Sequence, residues 1–206
     1  MARQHSRIKR NSRGYRKRKT GSREIKQRFL IVCEGTKTEP HYFRSFHVPS
    51  VVIDVQGLGF SPLQLVDEAV RLRRQAASDE YDQVWCVFDR DEWPADNFNG
   101  ALSSARQHDV KVAWSNEAFE LWYLLHFHYH DTAIPRSEYI TRLSAQLGKP
   151  YAKNSRDMYA NLEDRINTAV RNAERLLVQY DPSNPATDNP CTTVHLLVVQ
   201  LRRFSR

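Results

Sequence analysis

Residues 84–93 read VWCVFDRDEW. Five mostly apolar residues, Val84 to Phe88, run straight into two aspartates, Asp89 and Asp91, set on either side of Arg90. A run of this length and composition reads as a buried strand. Ending it on D-x-D brings two carboxylates to the rim of an apolar core, a costly arrangement unless a positive charge sits between them. If the strand continued, Asp89 and Asp91 would point to the same side and Arg90 to the other, toward a phosphate or Glu92.

Outward from this strand the chain alternates. RFLIVCEG (28–35), VVIDVQG (51–57) and VKVAWS (110–115) read as further strands, making about four in all. Between them lie helical stretches. TKTEPHYFRSF (36–46) offers Thr36 or Thr38 as a cap, with Pro40 in the first turn. SPLQLVDEAVRLRRQA (61–76) has Ser61 as N-cap, Pro62 at the first helical position, and Leu63, Val66, Ala69, Val70 and Arg73 on one face. NFNGALSSARQHD (97–109) is a weaker helix, and NEAFELWYLLHFH (116–128) a strongly apolar one capped by Asn116. The alternation predicts an α/β fold, a mainly parallel sheet with helices on both faces.

Beyond residue 130 the reading is helical, with SEYITRLSAQLG (137–148) and a long amphipathic helix over 155–180. A Pro/Asn-rich loop, DPSNPATDNP (181–190), then leads into a final helix over CTTVHLLVVQLRRF (191–204). The expected organisation is a basic tail over 1–27, flexible when alone, an α/β core over 28–130, and a helical extension over 131–206 packed on that core.

Charge separates the tail from the rest. Residues 1–28 hold twelve Lys/Arg against one acid, Glu24; set against a total of +7, that +11 leaves the remainder at −4. Arg10, Arg16, Lys17, Arg18 and Lys19 are the candidates for gripping a polyanion, DNA or RNA, with Lys37 beyond the tail as a sixth. A solubilising leader is the plainer alternative.

The totals exclude several classes. No apolar run approaches the ~20 residues of a membrane span, and the basic N-terminus lacks the apolar stretch of a secretory signal. Cys33, Cys86 and Cys191 are scattered among apolar neighbours, which suits a reducing cytoplasm and neither zinc nor disulfides. QGLGF (56–60) has two glycines without a dinucleotide or P-loop fingerprint. His126, His128 and His130 fall at the end of an apolar helix, where the helix dipole accounts for them better than a metal does.

Acids gather where parallel strands end. Strand one delivers Glu34, with Glu39 one helical turn on; strand three delivers Asp89 and Asp91; strand four leads into Glu117 and Glu120, of which Glu120 is favoured. Carboxylates so crowded call for a cation, and Mg²⁺, or Mn²⁺ in its place, suits carboxylate oxygens and a phosphate. A phosphohydrolase of the haloacid dehalogenase type also uses D-x-D, but on its first strand and with Thr or Val where this chain has Trp93.

LIVCEGTKTEPHYF (30–43), VFDRDEW (87–93), WSNEAFELWYLLHF (114–127) and NPCTTVHLLV (189–198) together resemble the RloB-like proteins, found near restriction and abortive-infection loci. Their core is similar to the Toprim domain of topoisomerases, primases and overcoming-lysogenization-defect nucleases. The resemblance spans 28–206 and implies a metal-dependent endonuclease acting on DNA or RNA in antiphage defence, beside an ATPase subunit. It implies acid/base work for Glu34 and metal binding for Asp89 and Asp91. Glu39 would match the second glutamate of the nuclease relatives, five residues on rather than four. Lys153 would offset charge on the reacting phosphate, with Lys37 as runner-up. The reading from a different class is a non-catalytic module that binds nucleic acid or a partner on a degenerate Toprim fold.

Overall fold

The computed structural model describes residues 26–77 and 80–204. Four parallel strands, β1 (Gln27–Cys33), β2 (Val51–Gly57), β3 (Gln83–Asp89) and β4 (Lys111–Asn116), stand in the order β2-β1-β3-β4. A fifth, β5 (Cys191–Thr192), adds antiparallel to β4, with Ser115 opposite Thr192. The strand alternation read from the sequence therefore holds, in a Rossmann-like α/β arrangement. The final segment departs from it: residues 191–192 open as an edge strand, and helix α8 begins only at Val194 (Val194–Arg202).

Side-chain alternation sorts the core into two layers. Phe29, Ile31 and Cys33 of β1 face one side, packed with α1 (Thr38–Arg44), α4 (Glu120–Leu124), α5 (Arg136–Leu147), α7 (Ile166–Leu177) and α8. Leu30 and Val32 face the other, under α2 (Pro62–Gln75) and α3 (Ala95–Gln107). Both faces of the sheet are thus covered, as a parallel sheet requires. Among the described residues no helix is long and apolar enough to cross a membrane.

Local chemistry explains most helix starts. Ser61 caps α2, and its N–H donates to Gln64 Oε1 at 3.2 Å, with Pro62 at the first helical position. The buried face of α2 is Leu65, Val66, Ala69 and Val70; Leu63 is exposed, so the face is turned from the one the sequence spacing indicates. Asn116 does not cap a helix, because it completes β4 opposite Cys191, and α4 starts at Glu120. The long helix over 155–180 is in fact α6 (Met158–Leu162), a 3₁₀ turn (Glu163–Arg165) and α7. The apolar residues on either side of the turn, Leu162 and Ile166, are both buried, so the break keeps them on the core.

The β1 and β2 ends are locked together by close backbone packing. Leu58 N–H donates to the Cys33 carbonyl (3.1 Å) and Gly59 N–H to the Glu34 carbonyl (2.7 Å). A Cβ on Gly57 would stand 2.6 Å from the Gly35 carbonyl oxygen and 2.9 Å from Thr36 Cα. Backbone atoms cannot swing aside as a side chain can. Gly57→Ala is therefore expected to cost about 2 kcal/mol, an overpacking penalty, read as a lower urea midpoint at unchanged slope. A wild-type midpoint would show that the β1–α1 turn can shift.

Candidate active site

The carboxyl edge of a parallel sheet is where successive strands release their next residues together. Here β1 releases Glu34 and β3 ends on Asp89. Glu34 is clamped through its backbone, donating to the Val87 carbonyl at 2.8 Å and accepting from Gly59. Its side chain is held at both oxygens: Oε2 accepts the Asp89 N–H (3.0 Å) and Oε1 the Trp93 indole N–H (2.8 Å). Burial raises its pKa above the ordinary Glu value, against the pull of those two bonds.

Glu39 sits in the first turn of α1, 6% exposed. Gly35 makes room for it, since a Cβ there would fall on its carboxylate. Burial first, then repulsion from Glu120 and Glu34, pushes Glu39 up to about 7. Asp89 is raised in the same way, by burial and then by Glu39, Glu120 and Glu34. Glu120, at the start of α4 and 2% exposed, accepts the Tyr151 hydroxyl at 3.1 Å and lies 3.9 Å from Lys153 Nζ. The Lys153 carbonyl in turn accepts Thr38 Oγ1 at 3.0 Å, tying its loop to α1.

The positive charge that the D-x-D demands is Arg136. Its Nη1 bonds Asp91 Oδ2 and its Nη2 lies 3.5 Å from Asp89 Oδ2, so one guanidinium bridges both carboxylates. Burial opposes the charge on Arg136, but the two aspartates outweigh it and raise its pKa. Arg90 serves the backbone instead. Its Nε donates to the Ala186 carbonyl at 3.0 Å, its Nη1 bonds the Trp93 carbonyl, and its guanidinium stands over the Phe98 ring. The expected strand continuation through Asp91 does not occur. β3 stops at Asp89, and Asp91 takes a left-handed φ of 38° with its N–H on the Glu117 carbonyl. Both aspartates still reach one cation because the turn, not the pleat, aims the second.

The result is a cleft of about 300 Å³ lined by Gly35, Thr36, Lys37, Thr38, Glu39, Asp89, Phe119, Glu120, Arg136 and Lys153. Of the residues singled out from the sequence, it gathers Glu39, Asp89, Glu120, Lys37 and Lys153; Glu34 stands directly behind Gly35, and Asp91 across Arg136. Arg10, Arg16, Lys17, Arg18 and Lys19 lie outside the described residues. A larger hollow of about 460 Å³ between α7 and α8 is lined by Asn167, Val170, Val199, Arg202 and Arg203, and no acids converge there.

Arg136, Trp93 and Tyr151 are the partners that sequence reasoning missed. Arg136 follows Pro135 at a helix start and gives no periodic signal; only its contacts reveal it. Trp93 stands in the same turn as the D-x-D, and an indole so close to paired acids was a readable hint of a hydrogen-bond donor. His126 falls outside the chemistry: its Nδ1 meets the Trp122 carbonyl at 2.9 Å, and burial lowers its pKa to about 4.

The donor set is all oxygen, as a hard cation prefers. Among the described residues no three acidic, His or Cys side chains are already drawn into a cage. Mg²⁺ asks for less, since one or two carboxylates with water and a substrate phosphate suffice. Glu39 and Asp89 are both raised, first by burial and then by neighbouring carboxylates, and a bound cation would offset that repulsion.

A family model described as RloB-like protein matches residues 29–201. No curated protein and no solved structure matches the chain.

Proposed function

The chain belongs to the RloB-like family, and from that premise we propose that it is a divalent-metal-dependent endonuclease of the Toprim type, hydrolysing phosphodiester bonds in DNA or RNA. The observation that carries this reading is the convergence of Glu39, Asp89 and Glu120, all at most 6% exposed, with Glu34 behind them at one sheet edge. Buried carboxylates crowded in this way repel one another when ionised, and a bound cation offsets that repulsion.

Asp89, Asp91 and Glu120 would hold Mg²⁺, or Mn²⁺ in its place. The ion, when bound, would polarise the phosphate and make a water nucleophilic at neutral pH. Glu34 is fixed at both oxygens and raised in pKa, which suits a group that accepts a proton from water or returns one to the leaving oxygen. Glu39 would assist it. Lys153, 43% exposed at the cleft mouth, would face the charge developing on the phosphate. Lys37 and the basic residues of the tail would hold the flanking backbone. Family resemblance supports a cytoplasmic antiphage role, of the abortive-infection kind, beside an ATPase partner.

One observation favours a second reading. Arg136 already neutralises part of the D-x-D, as it would in a module that binds nucleic acid or a partner without cutting. A labelled panel of single- and double-stranded DNA and RNA, incubated with Mg²⁺, Mn²⁺ or EDTA, separates the two. Cleavage in both metals and none in EDTA is the expected result. Metal-independent binding without cleavage of any substrate would favour the module.

A further inference from the structure

Beside the acidic cleft lies a further hollow, of about 340 Å³, lined by His41, Arg44, Ser45, His47 and Arg156. We propose that it seats a phosphate group of the polynucleotide strand whose neighbouring phosphodiester enters the acidic cleft. This assignment rests on the nuclease reading above and gives the substrate a second foothold.

Two arginines and two imidazoles gather there from different parts of the chain. His41 and Arg44 come from the last turn of α1, His47 from the loop that follows it, and Arg156 from the loop before α6. Two basic groups on α1 could be explained by the helix dipole alone. That explanation does not reach Arg156, which comes from the loop before α6, more than a hundred residues further on. Nor are the charges spent internally. Among the described residues Arg44, Arg156 and Lys37 stand in no ion pair. The nearest acid in sequence, Asp157, is engaged by Lys149 Nζ (2.7 Å) and Ser155 Oγ (2.9 Å). Burial, and then the charges of Arg156, Arg44 and Lys37, hold the His41 imidazole below its ordinary pKa, which places those cations around it without a counter-ion. Such a concave, unneutralised cluster is an anion site.

Its position suits a strand that continues from the cleft. The same two segments line both hollows: α1 and the turn before it give Lys37 and Glu39 to the cleft and His41 and Arg44 to the basic hollow, while the 153–156 loop gives Lys153 to one and Arg156 to the other. Five residues separate Glu39 from Arg44, about 7.5 Å along a helix axis. That is on the order of two nucleotides of a stacked strand.

The test uses the full chain, a 12-nucleotide labelled single strand and EDTA, so that binding is read without cleavage. Arg156→Gln and His47→Gln are combined, because both side chains are exposed; Arg44 is left alone, since it also holds the Val55 carbonyl at 2.7 Å. Thermal melts check that the double variant is folded. The expected result is roughly tenfold weaker binding and a salt slope shallower by about 0.7, the one full charge lost with Arg156 on a single strand. Neutral methylphosphonate linkages walked along the strand should weaken wild-type binding at one position and leave the variant indifferent there. Oligonucleotides with and without terminal phosphates form the other arm: if only a terminal phosphate matters, the hollow takes a phosphate monoester at a strand end. Unchanged affinity and slope in the folded double variant would overturn the inference. A strand that is gripped in this way but never cut with any metal would instead sink the nuclease reading and leave the phosphate site standing.

Discussion

Asp89→Asn is expected to reduce metal-dependent cleavage by at least about 10²-fold while leaving the fold as stable as wild type, or more so, in the absence of metal. Outer-shell partners of a metal ligand already cost 10–100-fold when changed, and Asp89 is proposed as a ligand itself. The stability half of the expectation comes from its surroundings. Asp89 is 5% exposed, faces three further carboxylates, and has its pKa raised by burial and by them, so an uncharged isostere removes repulsion. The lost pairing with Arg136 is long at 3.5 Å, and Asp91 retains the guanidinium. A residue with a merely structural role would lose activity and stability together. Glu34→Gln supplies the contrast: a drop of about 10²–10⁴-fold, with the Mg²⁺ concentration for half-maximal rate unchanged, whereas Asp89→Asn raises it. Wild-type rates in both variants would remove the proposed chemistry from this cleft.

The second large effect is on stability against pH. Glu39 titrates near 4.5 in an unfolded chain and at about 7 in the fold. The folded state therefore binds the extra proton between those values, and stability falls as pH rises through that window. The contribution lost by pH 8 is about 3 kcal/mol. Asp89 and Glu34, also raised, act in the same direction. His126, lowered by burial to about 4, acts oppositely and costs stability as pH falls below the ordinary imidazole value of 6.5. Comparing Glu39→Gln with wild type at each pH cancels His126. In EDTA the variant should match wild type at about pH 4, below the unfolded value of 4.5, and exceed it by about 3 kcal/mol at pH 8, measured by urea unfolding. Divalent metal should narrow the gap at pH 8 by stabilising wild type more. A gap that does not change with pH would mean that Glu39 is already paired or solvated.

Most of the sheet was readable because β1 and β3 are unbroken apolar runs closed by an acid, and β2 and β4 are short β-branched and aromatic stretches set between helical ones. β5 was not, since two residues carry no period, and the apolar residues behind them read as one helix. The break in the 155–180 helix escaped for a related reason: the amphipathic pattern continues across the 3₁₀ turn with Leu162 and Ile166 both facing the core. At the site, residue type and strand order pointed to Glu34, Glu39, Asp89, Asp91 and Glu120. They could not supply Arg136, which lies 47 residues beyond Asp89 and meets it only through tertiary packing. Asp91 was found for a reason that proved incomplete, because a left-handed turn rather than strand alternation brings it to Arg136.

The pairing of β4 with β5 has a bearing on synthesis. Ser115 and Thr192 stand 77 residues apart in the chain, so the outer edge of β4 waits, unpaired, while everything between is translated. At about 5–20 residues per second the wait is roughly 4–15 s. An open strand edge is a template for wrong partners, and the ribosome-bound chain must be shielded over that interval. Glu120 stands four residues beyond β4, at the start of α4, so the strand that β5 holds also sets where that helix begins. The acidic centre, which needs β4 held in place, is thereby completed only once residues 191–192 have been made.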